Sequence, residues 1–283
     1  KVFMVTFRTP PDNDTGVPHI LEHSVLNGSR AYPVREPFKE LLKASLYTFL
    51  NAMTYPDKTV YPVASRNAQD FQNLMDVYLD AVFNPLLTRH TFMQEGWHYE
   101  LAKPNGVLTY SGVVYNEMQG VYSDPQALLM REHERALYPQ SIYGRDSGGD
   151  PAAIPQLSYK EFVAFHRRYY HPSNSRIYLY GNFDVAERLA HLERFLDRYD
   201  YLAVDSAVQR QPRLTAPVER AATYPVSPGE GTAKKTYALR GYLLALPEDP
   251  EHHLALNILS RILVGTAASP LRKALVDAHL GED

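Results

Sequence analysis

The sequence predicts a mixed fold of α-helices and β-strands, because segments with the two hydrophobic periodicities alternate along the chain. Residues 2–7 (VFMVTF) have the pattern and composition of a strand. Residues 67–83 instead place their apolar side chains at the three- and four-residue spacing of a helix. Turn-forming residues separate such segments, as at 55–58 (YPDK).

The composition is that of a folded chain large enough for one or two domains. Of its 283 residues, 45% are hydrophobic, and the formal net charge of −3 is too small to favour disorder. The absence of cysteine excludes disulfides, thiolate metal sites and a cysteine nucleophile. The near-neutral charge offers no basic footprint for nucleic acid or a membrane surface, and no apolar run approaches the roughly 20 residues of a membrane span. We therefore expect neither partner.

The first part of the chain combines strands with two short helices. Thr15 to Pro18 supply a helix start and Gly28-Ser29 a helix end, and the YPDK turn joins two β-prone runs. The elements predicted here are a strand at 2–7, helices at 19–26 and 36–46, and strands at 51–54 and 59–65.

The rest of the chain is predicted to be mainly helical. Apolar spacing indicates one long helix over 111–137, with Val114, Met118 and Val121 on its buried side. The other elements predicted are helices at 67–83, 158–170, 184–199, 251–264 and 269–279, and strands at 176–180 and 234–246.

Domain boundaries follow from a change in composition after residue 200. Residues 201–233 contain four prolines and little periodicity, which is typical of a linker. We expect a first domain at 1–200 and the incomplete start of a second at 234–283. The chain begins within a predicted strand and ends directly after a predicted helix, so we expect it to be part of a longer polypeptide.

The most informative segment for function is His19-Ile20-Leu21-Glu22-His23. Residues i and i+4 of a helix lie on one face, so the two imidazoles can bind one metal ion with Glu22 beside it. Zinc suits nitrogen and oxygen ligands of this kind, and a carboxylate next to it can act as a general base. The spacing alone leaves a second interpretation open, a solvated helix face without metal.

The surroundings of this segment resemble the M16 (pitrilysin/insulysin) metallopeptidases, and among them the presequence protease branch, which includes falcilysin. The resemblance extends over essentially the whole chain and is weakest in the linker. It is carried by residues 11–29 (PDNDTGVPHILEHSVLNGS), 49–59 (FLNAMTYPDKT), 94–97 (QEGW), 112–120 (GVVYNEMQG), 147–151 (SGGDP), 171–174 (HPSN), 180–183 (YGNF) and 265–272 (GTAASPLR). One departure is Asn27, where the branch often has cysteine, a position that we place outside the metal site.

The resemblance implies a fold and a zinc site. The fold would be α+β, with an antiparallel-rich sheet packed with helices as in LuxS and processing-peptidase domains. The site would hold one Zn²⁺ per chain, bound by His19, His23 and Glu117, with Glu22 as the general base. Spacing alone cannot distinguish Glu117 from an exposed helix charge. Glu95 either orients a zinc-bound histidine or assists catalysis, with a helix cap or a surface ion pair as the alternative.

The resemblance also implies how substrate is held. Asn51 and Ala52 match the edge strand to which a peptide adds through main-chain hydrogen bonds, and the alternative for Asn51 is a polar cap on a strand end. Members of the family are clamshells of two halves that enclose short unstructured peptides, and the opposite half would be a partner of this chain.

The function implied is a zinc endopeptidase (oligopeptidase) that degrades unfolded peptides such as presequences. Two alternatives stay open, a non-catalytic M16-like scaffold subunit and a processing peptidase subunit that makes one specific cut. The resemblance is compatible with the cytoplasm of a bacterium and with the mitochondrial matrix or plastid of a eukaryote.

Overall fold

The computed structural model describes residues 1–35, 37–244 and 248–280, which divide into two compact units, 1–240 and 241–283. The first unit contains one main antiparallel sheet in the order β2-β4-β1-β7, with β3 also paired to β4, and a separate β5-β6 hairpin. The strands are β1 (Val2–Arg8), β2 (Tyr47–Leu50), β3 (Met53–Thr54), β4 (Lys58–Ser65), β5 (His98–Glu100), β6 (Thr109–Ser111) and β7 (Ser175–Tyr180).

Eight of the described α-helices belong to the first unit. They are α1 (Val17–Val25), α2 (Pro37–Ala44), α3 (Ala68–Phe83), α4 (Arg89–Glu95), α5 (Val113–Val121), α6 (Pro125–Leu137), α7 (Tyr159–Tyr169) and α8 (Val185–Leu196). Together with the antiparallel sheet they confirm the predicted α+β class.

The main sheet packs one face against helices. Along β1, Phe3, Val5 and Phe7 are fully buried while the residues between them are partly exposed, the period-two pattern of a strand buried on one face. Along β4, in contrast, the residues of both faces are buried from Thr59 to Ser65. Helices α1, α3 and α7 contribute the other side of the same core. Their buried side chains include Ile20, Leu21, Phe71, Leu74, Tyr78, Phe162 and Phe165.

Helix starts follow the capping residues of the sequence. Asn67 accepts the Asp70 N–H at the start of α3, and Ser158 forms a capping box with Glu161 at the start of α7. Such caps satisfy main-chain N–H groups that have no partner within the helix.

The prediction of one long helix over 111–137 is wrong, because the chain forms two helices there, α5 and α6. Asp124 caps α6 by accepting the Ala127 N–H at 2.7 Å, and Pro125 occupies its first turn. Proline lacks an N–H and disfavours helical geometry in the residue before it, so the helix breaks at 122–124. Val121, predicted to be buried, lies at the end of α5 and is 41% exposed.

Other differences concern short elements. The strand expected over 51–54 forms only at Met53–Thr54, after a separate strand, β2, which the sequence did not indicate. Helix α4 and the β5-β6 hairpin were likewise not predicted. The helix expected over 36–46 forms at Pro37–Ala44, and its first residue, Glu36, lies outside the described residues.

Residues 201–244 contain no helix or strand. Part of this segment is hydrogen-bonded to residues after α6, since the Gln211 side chain accepts the Gln140 N–H and the Gln209 carbonyl accepts the Ser141 hydroxyl. The strand expected over 234–246 does not form at 234–244, and 245–246 lie outside the described residues. The division between the two units falls between residues 240 and 241, and the predicted domain boundaries at 200 and 234 stay a prediction.

The second unit, taken by itself, contains α9 (Pro250–Val264) and α10 (Pro270–Asp277). Asp249 caps α9 by accepting the His252 N–H. Among the described residues of the whole chain, no helix combines the length and apolar character needed to cross a membrane.

Candidate metal centre

Helix α1 carries the H-x-x-E-H segment through the interior of the first unit. It contacts β3, β4, α4 and α7, and eight of its nine residues are buried. Pro18 lies in its first turn, where the missing N–H has no cost. Buried polar side chains need partners, and those of His19, Glu22 and His23 are each hydrogen-bonded.

The structure brings Glu117 of α5 against the two histidines. The Nε2 atom of His19 lies 3.7 Å from Oε2 of Glu117, and the Nε2 atom of His23 lies 3.8 Å from the same oxygen. The two imidazole rings have centroids 5.0 Å apart and planes at 81° to each other. Glu117 is half-exposed while both histidines are mostly buried, so the three side chains meet where the interior opens to solvent.

This geometry fits a zinc ion. One ligand atom from each of His19, His23 and Glu117 lies within 4.8 Å of the others. Zinc bonds to such atoms are about 2.0–2.2 Å long, so two tetrahedral ligands lie about 3.3–3.6 Å apart. The distances of 3.7 and 3.8 Å from the two histidines to Glu117 are slightly longer than this range. Three protein ligands on a tetrahedral ion leave one position open, as catalytic zinc sites do.

Each histidine is oriented by a hydrogen bond from its other ring nitrogen. His19 Nδ1 lies 3.0 Å from the Gly148 carbonyl oxygen, 129 residues later in the chain. His23 Nδ1 lies 3.3 Å from Oε2 of Glu95. A proton on each Nδ1 leaves a lone pair on each Nε2, directed towards Glu117, which is the tautomer that metal binding requires.

Glu95, at the end of α4, is buried behind His23. Its second carboxylate oxygen accepts the side-chain amides of Asn27 at 2.7 Å and Gln94 at 2.8 Å. Burial raises the pKa of Glu95, but the hydrogen bonds from His23, Asn27 and Gln94 outweigh it and lower the pKa below its ordinary value. Asn27, which the sequence analysis places outside the metal site, therefore donates a hydrogen bond to Glu95, the residue that contacts His23.

The carboxylates around His23 make this region attractive to a cation. Burial lowers the pKa of His23, but the hydrogen bond to Glu95 and the negative charges of Glu22, Glu95 and Glu117 raise it above the ordinary value. Partners that stabilise a positive charge on the ring also favour a metal cation at the same position.

Glu22 lies beside this cluster and has a partner that the sequence analysis missed. The Thr54 hydroxyl donates to Oε2 of Glu22 at 2.6 Å. Thr54 is the second residue of β3, and its position after the Asn51-Ala52 pair was the only available sign of a role. The hydrogen bond holds one carboxylate oxygen and leaves the other for a further partner.

Asn51 and Ala52 lie between β2 and β3 rather than within a strand. The Asn51 side-chain oxygen accepts the Ala52 N–H at 3.0 Å, as in the capping alternative. Both strands pair with β4 on one side, and no described strand covers their other side. β2 and β3 therefore form an edge of the sheet, and Thr54 places this edge next to Glu22.

Comparison with known sequence families gives two matches. The family described as "Insulinase (Peptidase family M16)" matches residues 8–105, which include His19, Glu22, His23 and Glu95. The family described as "Peptidase M16 inactive domain" matches residues 156–283. Glu117 lies between the two matched regions.

Curated relatives align with the whole chain. "Presequence protease 1, chloroplastic/mitochondrial" of Arabidopsis thaliana is 53% identical over 287 residues, covering 100% of this chain and 27% of that protein. "Protein HypA" of Clostridium perfringens is 51% identical, with coverage of 100% and 29%. The mitochondrial presequence protease of Mus musculus is 42% identical, with coverage of 100% and 28%. The chain thus spans less than a third of the length of these relatives.

Solved structures agree in fold. Pitrilysin superposes with a TM-score of 0.55 at 20% identity, covering 77% of this chain and 22% of that one. An M16 inactive domain from Pseudomonas fluorescens gives a TM-score of 0.58 at 16% identity, covering 75% and 48%. At such identities the likeness concerns the fold, which is the α+β fold expected from the sequence. With its matched domains and its relatives over the full length, the chain belongs to peptidase family M16, in the branch of the presequence proteases.

Proposed function

We propose that this chain carries the zinc site of a metalloendopeptidase that degrades short, unstructured peptides. The observation that supports this most directly is the convergence of His19, His23 and Glu117 at zinc-ligand spacing, with Glu22 alongside. Family membership supports peptidase chemistry at the same residues.

In the proposed mechanism three side chains hold the ion and Glu22 moves the proton. His19, His23 and Glu117 would hold a zinc ion, which would supply Lewis-acid chemistry that lowers the pKa of a water molecule towards neutrality. Glu22 accepts the proton of the attacking water and then delivers it to the leaving amine. Thr54 holds the Glu22 carboxylate in place during both transfers.

The open edge beside the site supports extended peptides as substrates. A peptide that adds to the β2-β3 edge binds through its main chain, so the sequence of the substrate matters little. In this proposal Asn51 and Ala52 line the path of the peptide. Because the Ala52 N–H already bonds to the Asn51 side chain, that side chain has to rotate before Ala52 can donate to a substrate carbonyl.

The rest of a full-length protein is needed for turnover in this proposal. The 283-residue chain contains the complete candidate zinc site, but the resemblance assigns groups that anchor substrate to an opposite half of a clamshell. We expect the chain alone to bind one zinc ion and to hydrolyse peptides poorly, and added opposite half to restore turnover.

The test uses the full-length protein that contains this sequence, a mixture of unrelated peptides and metal analysis. The parent should contain stoichiometric zinc and cut many peptides at many sites. His19→Ala should lose the zinc, whereas Glu22→Gln should keep it and lose at least about 100-fold in kcat, because general-base catalysis typically contributes 10²–10⁴-fold.

The same experiment distinguishes the two alternatives. A native protein without zinc and without hydrolysis would identify a scaffold subunit. A single cut in one substrate of the mixture would identify a site-specific processing peptidase. Full activity in Glu22→Gln would remove Glu22 from the mechanism.

A further inference from the structure

A buried aspartate lies behind the loop that contacts His19. We propose that Asp146 is a positioning residue for His19, acting through the main chain of Gly148; the inference rests on the proposed zinc site. The loop comprises residues 146–149, of which 147–149 fall within the segment 147–151 that resembles the M16 metallopeptidases, whereas Asp146 precedes that segment.

Asp146 fixes the conformation of this loop. Its side chain is 1% exposed, and its Oδ1 atom accepts the N–H groups of Gly148 at 2.9 Å and Gly149 at 3.2 Å. Arg131 contacts the same oxygen at 2.9 Å, and the Tyr122 hydroxyl donates to Oδ2 at 2.7 Å. Four donors fix the orientation of the Asp146 carboxylate, and the carboxylate in turn fixes the orientation of the Gly148 and Gly149 N–H groups.

The loop is attached to the start of α1, the helix of His19. The Asp146 N–H donates to Oδ1 of Asp14 at 2.7 Å, and the Asp150 N–H donates to the Asp14 carbonyl at 2.8 Å. Gly16, with a φ of +67°, lies so close that a Cβ atom there would be 2.6 Å from the Gly148 carbonyl oxygen. The loop therefore has little freedom to move relative to α1.

The same loop contacts the helix of Glu117. A Cβ atom on Gly148 would lie 3.1 Å from the terminal methyl group of Met118, which follows Glu117 in α5. Gly148 is thus packed between α1 and α5, and its carbonyl oxygen accepts the Nδ1–H of His19. The loop whose conformation Asp146 fixes therefore contacts both α1, which carries His19, and α5, which carries Glu117.

Loss of the Asp146 carboxylate is expected to act on zinc affinity. Without it, the N–H groups of Gly148 and Gly149 lose their acceptor and Arg131 loses one of its partners, so the Gly148 carbonyl is no longer held against His19. Removal of groups that orient a metal-bound histidine typically lowers metal affinity 10–100-fold. We expect about a 10-fold loss here, because Asp146 acts through one further residue.

The experiment measures zinc affinity of the full-length protein by competition with a chromophoric chelator, together with its unfolding midpoint in urea. Asp146→Ala should bind zinc about 10-fold more weakly than the parent. Asp146→Asn should stay within about threefold, since its amide oxygen can accept the glycine N–H groups while its NH₂ group donates to the Tyr122 hydroxyl. Should Asp146→Ala fail to fold, Tyr122→Phe tests the same carboxylate with a smaller expected loss of about threefold.

Asp70→Ala is the matched control. Asp70 also accepts a main-chain N–H and a hydroxyl, from Leu46 and Ser45, and among the described residues no hydrogen bond joins it to the candidate site. It should lower the urea midpoint without lowering zinc affinity. Parent-like zinc affinity in Asp146→Ala and Tyr122→Phe, or an equal loss of affinity in Asp70→Ala, overturns the inference while the zinc site of the parent stands. A parent without zinc affinity contradicts the proposed function itself.

Discussion

Thr54 and Glu22 are 32 residues apart in sequence, yet the Thr54 hydroxyl lies 2.6 Å from a Glu22 carboxylate oxygen. The contact joins the short strand β3 to helix α1 directly beside the candidate zinc ligands. A hydrogen bond to an ionised group contributes about 1.5–3 kcal/mol. In the proposed mechanism this energy keeps the carboxylate aligned with the attacking water.

We predict that Thr54→Val lowers kcat by at least about 10-fold while KM changes little. Valine has nearly the shape of threonine but cannot donate, so the carboxylate gains rotational freedom without loss of packing. Thr54→Ser should recover most of the activity because it keeps the hydroxyl. Steady-state kinetics of the full-length protein provide the measurement. Equal losses in the valine and serine variants would attribute the effect to packing.

Glu95 should contribute more to zinc affinity than Asn27. Glu95→Gln keeps an oxygen for His23 but loses the negative charge, so we expect about a 10-fold weaker affinity. Asn27→Ala removes one of two amide donors and leaves Gln94 on the same oxygen, so its effect should be smaller. Chelator competition ranks the variants, and a larger loss in Asn27→Ala would contradict this order.

Removal of zinc should lower thermal stability through the same three ligands. A ligand that binds only the native state stabilises it by about 2.7 kcal/mol at a concentration 100 times its Kd. Thermal unfolding with and without a chelator should therefore differ in Tm for the parent. Glu117→Gln should reduce this difference, whereas a parent Tm that does not respond to zinc would speak against a native-state site.

A buried histidine outside the site should make stability depend on pH. Burial lowers the pKa of His166 to about 4, and the charge of Arg167 adds to this, against the opposing hydrogen bond to the Val82 carbonyl. At pH values between the ordinary pKa of 6.5 and about 4, His166 is protonated in the unfolded chain but neutral in the native protein. The free energy of unfolding should therefore decrease as the pH is lowered from 6.5 to about 4, by up to about 3 kcal/mol in total.

The measurement is the urea midpoint of the chelator-treated protein from pH 4 to 8. A His166→Gln variant retains a donor for Val82 but has no ring to protonate, so the difference between the two proteins isolates His166. Parallel curves for parent and variant over this range would contradict the assignment.

Local features of the sequence determined the principal elements and part of the site. The periodicity of residues 67–83, the capping residues of α3 and α7 and the proline in the first turn of α1 act within a few positions, so these helices could be predicted within one or two residues of their ends. The same periodicity placed His19, Glu22 and His23 on one helix. Asp124-Pro125 marks the break at 122–124 in the sequence, but the apolar spacing continues on both sides of it, and that spacing predicts a single helix.

Contacts between distant residues were decided by the tertiary structure. Spacing did not distinguish Glu117 from a surface charge, and only the packing of α5 near α1 sets its carboxylate 3.7 Å from His19. Asn27, Thr54 and Gly148 reach the candidate site only through hydrogen bonds to residues distant in sequence. Their partners are Glu95, Glu22 and His19, respectively. Gly148 acts through its main-chain carbonyl, which every residue has, and so no residue type marks its role in the sequence.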